Sequence, residues 1–308
     1  MNGALLELCR HKTWATLRLI ERCGGLDDVH LDATNPGTYG TIRETLRHLV
    51  DAEEGYFKLL THTQLSEPLP DGPAPLQELA ERIRRLGPRW EAMAEDPDLA
   101  AGDVKTSDGW RLPASVIVSQ AIHHAGDHRT HVLSILGARG LEVPELDLWA
   151  YAESTGRMVL DPSRKFTANV HTPRGDFVVT LADPEAYPQT VNKFVYVAQN
   201  NFYNGLAFYR VVPGSLVQGG DPHGDGTSGP ALARPDRDHP ASWHRGMVGM
   251  ATGPTGDVGP GFFIAIADAA FVDRSGVESR LGEVTSGIEV VDQIEVGDTM
   301  ISLEISVL

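Results

Sequence analysis

The sequence predicts a two-domain protein in which a helical amino-terminal half precedes an all-β carboxy-terminal half. Three observations carry this. The 308 residues exceed one ordinary small domain and suffice for two, each able to bury its own core. Up to about residue 160, apolar residues recur at spacings of three and four, the period of an amphipathic helix. Beyond that point, short alternating or β-branched runs alternate with clusters of Gly, Pro, Asp and Asn.

The helical half contains four runs, "ALLELCRHKTWATLRLIERC", "TIRETLRHLVDAEEGYFKLLTH", "APLQELAERIRRLGPRWEAMAED" and "PASVIVSQAIHHAGDHRTHVLSILGARG". The last has Pro113 near its first turn and ends on glycine, as helices tend to. Four amphipathic helices with polar joins predict a four-helix bundle, and the longer joins after the first two allow crossovers. A linker is placed near residues 157 to 164. The runs "KFTANVHT", "DFVVTL", "LAFYRVV", "GMVGMAT", "GFFIAIA" and "ISLEISVL" then predict a closed barrel or a sandwich.

Bulk composition excludes several classes. A hydrophobic fraction of 41% with 22% charged residues is that of a soluble globular chain, and no stretch approaches the roughly eighteen apolar residues of a membrane span. The formal net charge of −16 argues against nucleic acid as a partner, since phosphate binding relies on Lys and Arg. The start of the chain lacks a basic region followed by an apolar core, so a cytoplasmic location is expected. The only two cysteines, Cys9 and Cys23, cannot build a disulfide framework and read as reduced core thiols.

Four histidines, His123, His124, His128 and His131, fall within nine residues of the fourth helical run. Residues four apart on a helix share a face at about 5 to 6 Å between Cβ atoms, so His124 and His128 can converge on one ion. His131 continues that stripe, whereas His123 is turned away by about 100°. A third ligand is offered by His48, set in an apolar stripe of the second helix, where an unpartnered imidazole is costly.

The segments "HKTWATLRLIE", "LRHLVDAEEGYF", "QAIHHAGDHRTHVLSIL" and "LDLWAYAE" resemble the DinB/YfiT-like four-helix bundles, over residues 1–158. The resemblance implies a divalent metal held by His48, His124 and His128, with His131 as a neighbour that orients a ligand. Three neutral imidazoles leave coordination positions open, and Zn or Ni suits nitrogen donors. Some relatives use a low-molecular-weight thiol, which the resemblance makes a candidate partner.

In the second half, "TVNKFVYVAQNNFYNGLAFYRVVPGSLVQGGDPHGDGTSGP", "RGMVGMATGP", "GPGFFIAIADAAFVD" and "RLGEVTSGIEVVDQI" resemble the cyclophilin-type peptidyl-prolyl isomerases over residues 165–308. The resemblance implies a closed eight-stranded barrel capped by two helices, acting on proline-containing peptides without a cofactor. Arg210 matches the family's catalytic arginine, Gln218 the glutamine that places it, and Phe263 the floor of the proline pocket. Phe208, Ser215, Leu216, Ala251, Thr252, Gly261 and Phe271 match substrate-binding positions.

Several of those positions depart from the family pattern. Ser215 stands for a pocket phenylalanine, Gly261 for a glutamine, Thr252 for an asparagine, Phe271 for a tryptophan and Tyr209 for a histidine, while Glu278 stands near the usual pocket histidine. Loss of one aromatic wall removes about 1.5 to 3 kcal/mol of proline burial. The leading expectation is a proline isomerase fused to a metal-binding bundle. Its competitors are a proline-peptide binding module with weak or no turnover, and a metal-dependent thiol transferase with the barrel as accessory.

Overall fold

The computed structural model describes residues 3–69, 72–96, 102–226, 236, 243–252, 258–268 and 279–308. The chain divides into two compact units, Met1–Thr155 and Gly156–Leu308.

The first unit is helical. Its long helices are α1 (Gly3–Gly24), α3 (Ile42–Thr61), α4 (Leu76–Glu95) and α5 (Ala114–Ala138), with the short α2 (Asp28–Leu31) and α6 (Leu148–Ser154) between and after them. Helix α3 starts at a reciprocal cap. Thr41 accepts from the Glu44 amide and Glu44 accepts from the Thr41 amide, so two donors of the first turn are satisfied at once. Helix α4 runs through Pro88, which removes one ladder hydrogen bond. A small antiparallel hairpin, β1 (Asp103–Lys105) with β2 (Arg111–Pro113), precedes α5 and was not expected from the sequence. Its strands are three residues each, too short for a period of two to register.

Helix α1 packs on α4 and α5, and α3 packs on α5 and α4. The apolar interior is interrupted by an ion pair. Lys12 and Glu53 are both buried and bonded to each other, and the Lys12 ammonium lies 4.6 Å from the centroid of Trp90. Arg129, also buried, donates to Thr16 Oγ1 at 3.2 Å. Cys9 and Cys23 are buried and unpaired, as expected, and burial pushes both thiols above their ordinary value.

The second unit holds one antiparallel eight-stranded sheet in the order β10-β3-β4-β9-β7-β8-β6-β5. Its strands are β3 (Phe166–Thr172), β4 (Gly175–Leu181), β5 (Phe208–Val212), β6 (Leu216–Gly219), β7 (Met247–Thr252), β8 (Val258–Ala265), β9 (Ser279–Ser286) and β10 (Ser302–Val307). Helix α7 (Pro188–Gln199) buries Val191, Phe194, Val195 and Ala198 in the core beneath the sheet, and the one-turn α8 (Ile288–Val291) contributes Val291. Segments beside the two edge strands meet. Ala207 bridges Thr299, and the Met300 amide donates to the Leu206 carbonyl at 2.9 Å.

Strand pleating separates this unit into two apolar groups. Val217, Val248, Met250, Phe262 and Ile264 enter the main core, whereas Leu216, Met247 and Phe263, one residue out of phase, form a satellite cluster with Trp243 on the other face.

Candidate active site and metal centre

Register pairs align four residues across that other face. Arg210 of β5 stands opposite Gln218 of β6, Gln218 opposite Phe263 of β8, and Phe263 opposite Gly249 of β7. Cross-strand partners share a face, so the row carries a cation, an amide and an aromatic ring side by side. Arg210 Nη1 donates to Gln218 Oε1 at 3.1 Å, and the guanidinium is exposed. Phe263 and Leu216 are each 4% exposed and belong to one cluster.

The loop after β6 is set by Gly220 and Asp221. Gly220 adopts φ +81°, and a Cβ there would lie 2.9 Å from the Phe262 and Tyr203 rings, so only glycine fits. The buried Asp221 carboxylate accepts from the amides of His223 (2.9 Å) and Gly226 (2.7 Å). Tyr209 is half-buried beside this loop, and burial with the nearby Asp221 pushes its phenol up to about 12.

In the helical unit, α3 supplies His48 and α5 supplies His124 and His128, one turn apart. One nitrogen from each lies within 4.8 Å of the others. Ring centroids are 4.3 Å apart for His124 and His128, 4.7 Å for His48 and His128, and 5.0 Å for His48 and His124. The Nε2 atoms of His48 and His124 face each other at 3.1 Å. Three nitrogens bound to one ion at about 2.0 to 2.1 Å would stand at nearly that spacing.

Protonation favours the same use. Burial lowers all three imidazoles below their ordinary value, His48 further depresses His124, and the crowd of His124, His48 and His131 takes His128 down to about 4. Neutral rings can offer lone pairs, and two Nε2 atoms 3.1 Å apart have the spacing of two donors to one cation. The residues therefore fit a divalent metal.

Two aromatic residues that the sequence reading did not single out wall this centre. Tyr39 stacks on His48 at 4.2 Å and meets His128 edge-on at 5.0 Å, and Tyr56 meets His124 edge-on at 5.6 Å. Lone aromatics in a loop and on a helix face carry no spacing signal that would have marked them. A cavity of about 430 Å³ opens beside His48, lined by Tyr39, Glu44, Arg47 and Asp51. His131 touches His128 through the ring edge at 5.2 Å. His123 is exposed and pairs with Asp127 at 3.0 Å, in keeping with its turned-away position.

Residues 167–304 match the family described as cyclophilin type peptidyl-prolyl cis-trans isomerase/CLD, and residues 1–165 match the DinB family. A peptidyl-prolyl cis-trans isomerase of Helicobacter pylori is 36% identical over 143 residues, covering 45% of this chain and 86% of the relative. Peptidyl-prolyl cis-trans isomerase B of Bacillus subtilis is 39% identical over 119 residues, covering 38% of this chain and 82% of the relative. The chain belongs to both families.

Its second unit is a cyclophilin-type peptidyl-prolyl cis-trans isomerase domain, fused to a DinB domain, and the protein is an enzyme of the isomerase class. Among the matched positions of the cyclophilin unit, Arg210, Gln218, Leu216 and Phe263 gather on one face, with Ser215 in the turn that precedes β6. Among the described residues, the Ser215 hydroxyl is buried without a hydrogen-bond partner. Ala251 and Gly261 are buried in β7 and β8, and the Thr252 backbone pairs with Val258. Phe271 and Glu278 lie outside the described residues.

Phe208 is a correction. It is fully buried in the main core, where a Cβ added to Gly219 would lie 2.9 Å from its ring, so it cannot line a peptide pocket. The register shifts between Phe208 and Arg210, and this bulge turns Arg210 to the face opposite Phe208 although the two are separated by two positions. Among the described residues no helix is long and apolar enough to cross a membrane.

Proposed function

We propose that Arg210, Gln218 and Phe263 carry the isomerase reaction, with Leu216, Ser215, Ala251, Thr252, Gly261 and Phe271 completing the binding surface for an X-Pro segment. The barrier to rotation about the X-Pro bond is about 18 to 20 kcal/mol because the amide is conjugated. Twisting the bond frees the prolyl nitrogen lone pair, which then accepts a hydrogen bond it could not accept in either planar state. Arg210 donates to that nitrogen, Gln218 Oε1 holds the guanidinium in place, and Phe263 seats the ring. The interaction exists only in the twisted state, so it lowers the barrier without tightening the ground state.

The observation that carries this reading is the 3.1 Å bond from Arg210 to Gln218, in one register row with Phe263. A charge-assisted hydrogen bond contributes about 1.5 to 3 kcal/mol, equivalent to one to two decades of rate. Arg210→Ala is expected to lose that much in a proline-isomerisation assay. Equal rates for wild type and variant would sink the assignment.

For the DinB unit, we infer that His48, His124 and His128 hold Zn or Ni. A bound divalent ion would act as a Lewis acid and stabilise a coordinated anion such as a thiolate. The chain's own contribution is three neutral imidazoles, the Tyr39 and Tyr56 walls and the adjoining cavity, whose volume of about 430 Å³ suits a small molecule such as a low-molecular-weight thiol. Metal analysis of a His124→Ala, His128→Ala double variant is the test. Unchanged stoichiometry would remove the site.

The fold proposed for these activities is a four-helix bundle over 1–158 and a closed barrel over 165–308. Mutual packing of α1, α3, α4 and α5 supports the first, and the Ala207–Thr299 bridge between the sheet's two ends supports the second. Two unpaired thiols suit a reducing, cytoplasmic compartment.

A further inference from the structure

The fourth place in the active-face row is Gly249, and what stands over it is the indole of Trp243. A Cβ at Gly249 would lie 2.4 Å from Trp243 Cη2 and 2.6 Å from Phe263 Cζ. The two rings therefore meet above the one position of the row that has no side chain. Their centroids are 4.8 Å apart with planes at 59°, a tilted contact of the kind aromatic pairs favour. Trp243 is 4% exposed, as is Phe263, and Leu216 and Met247 complete the cluster. Trp243 thus spends its burial on the ring of Phe263 and its immediate neighbours, on the face that also carries Arg210.

We propose that Trp243 is a positioning residue for proline isomerisation, acting through Phe263. It holds the phenyl ring in the orientation that receives the substrate's proline, and Gly249 is the vacancy in the sheet that admits it. The inference rests on Phe263 being the floor of the proline pocket.

The chain contains five tryptophans, and Trp243 is the one that falls within residues 156–308. Subtracting the emission of full-length Trp243→Phe from that of wild type isolates it. Titrating a tetrapeptide with a single Ala-Pro bond into both proteins is expected to shift this difference spectrum, because a proline ring arriving at Phe263 changes the surroundings of the adjacent indole. In an isomerisation assay Trp243→Ala is expected to raise KM roughly three- to tenfold with kcat within about twofold, and Trp243→Phe to recover most of the loss. A difference spectrum that stays fixed at saturating peptide overturns the proposal, and this measurement needs only proteins that keep the indole or a ring in its place.

Phe263→Ala separates the two levels of the argument. If it raises KM while Trp243→Ala does not, the floor stands and the positioning role falls. If Phe263→Ala leaves KM unchanged, the floor assignment fails and takes Trp243 with it.

Discussion

At the scale of single residues, the site is made by side chains whose neighbours leave them few alternatives. Gly249→Ala places a methyl within 2.6 Å of two rings, so both must move, and we expect isomerase KM to rise while the overall fold persists, checked by far-UV circular dichroism beside the kinetics. His128 provides a pH prediction with a definite sign. Its folded pKa of about 4 lies below the ordinary 6.5, so the unfolded chain binds the proton first as pH falls. Stability is fully present above the ordinary value and is lost as pH drops from 6.5 towards 4. Metal-free wild type is therefore expected to lose melting temperature over that window, and His128→Gln to lose less; parallel slopes would refute the assignment of the titration to His128.

At the scale of elements, a buried ion pair and a helix cap help to hold the first unit together. Glu53→Ala leaves the Lys12 ammonium buried without its carboxylate, and we expect a loss of about 3 to 5 kcal/mol in denaturant unfolding. Thr41→Ala removes the side chain that satisfies the first turn of α3, the helix of His48, at about 1 kcal/mol. These elements also mark what was legible beforehand. The long helices announced themselves by period, and "FTANVHT" and "DFVVTL" by alternation, because each has many residues over which one face is buried. Strand β6, four residues of "LVQG", and β9, with glycine inside it, have too few apolar positions to display a period, and α7 was implied by family resemblance alone. Among the proposed site residues, His124 and His128 were readable from helical spacing, His48 from its place in an apolar stripe, and Arg210 from its motif. Phe208 was placed in the pocket by family resemblance alone, which does not show that its ring is buried in the main core, and Trp243 was missed because its loop position has no pattern to betray that it folds over a glycine on the next strand.

At the scale of the whole molecule, each unit has its own core. The main cluster of the second unit draws on residues 166 to 303, whereas those of the first draw on residues 6 to 146. A ligand stabilises the fold that holds it by RT ln(1 + [L]/Kd). Two unfolding transitions are expected in calorimetry, with chelation lowering one and leaving the isomerase rate unchanged. A single transition that moves as a block on metal removal would contradict this independence.

The bulge in β5 has a consequence for chain length. Phe208 pairs with Gly219 and Arg210 with Gln218, so Tyr209 is the one residue of the strand without a counterpart across the ladder. Removing Val217 from β6 or Phe262 from β8, with the preceding residues held in place, would turn Gln218 or Phe263 to the other face of the sheet, because side chains alternate along a strand. Removing Tyr209 would leave Phe208 inside, Arg210 outside and Gln218 still opposite it. The enzyme thus has one codon in this strand at which a deletion preserves the sidedness on which its chemistry depends.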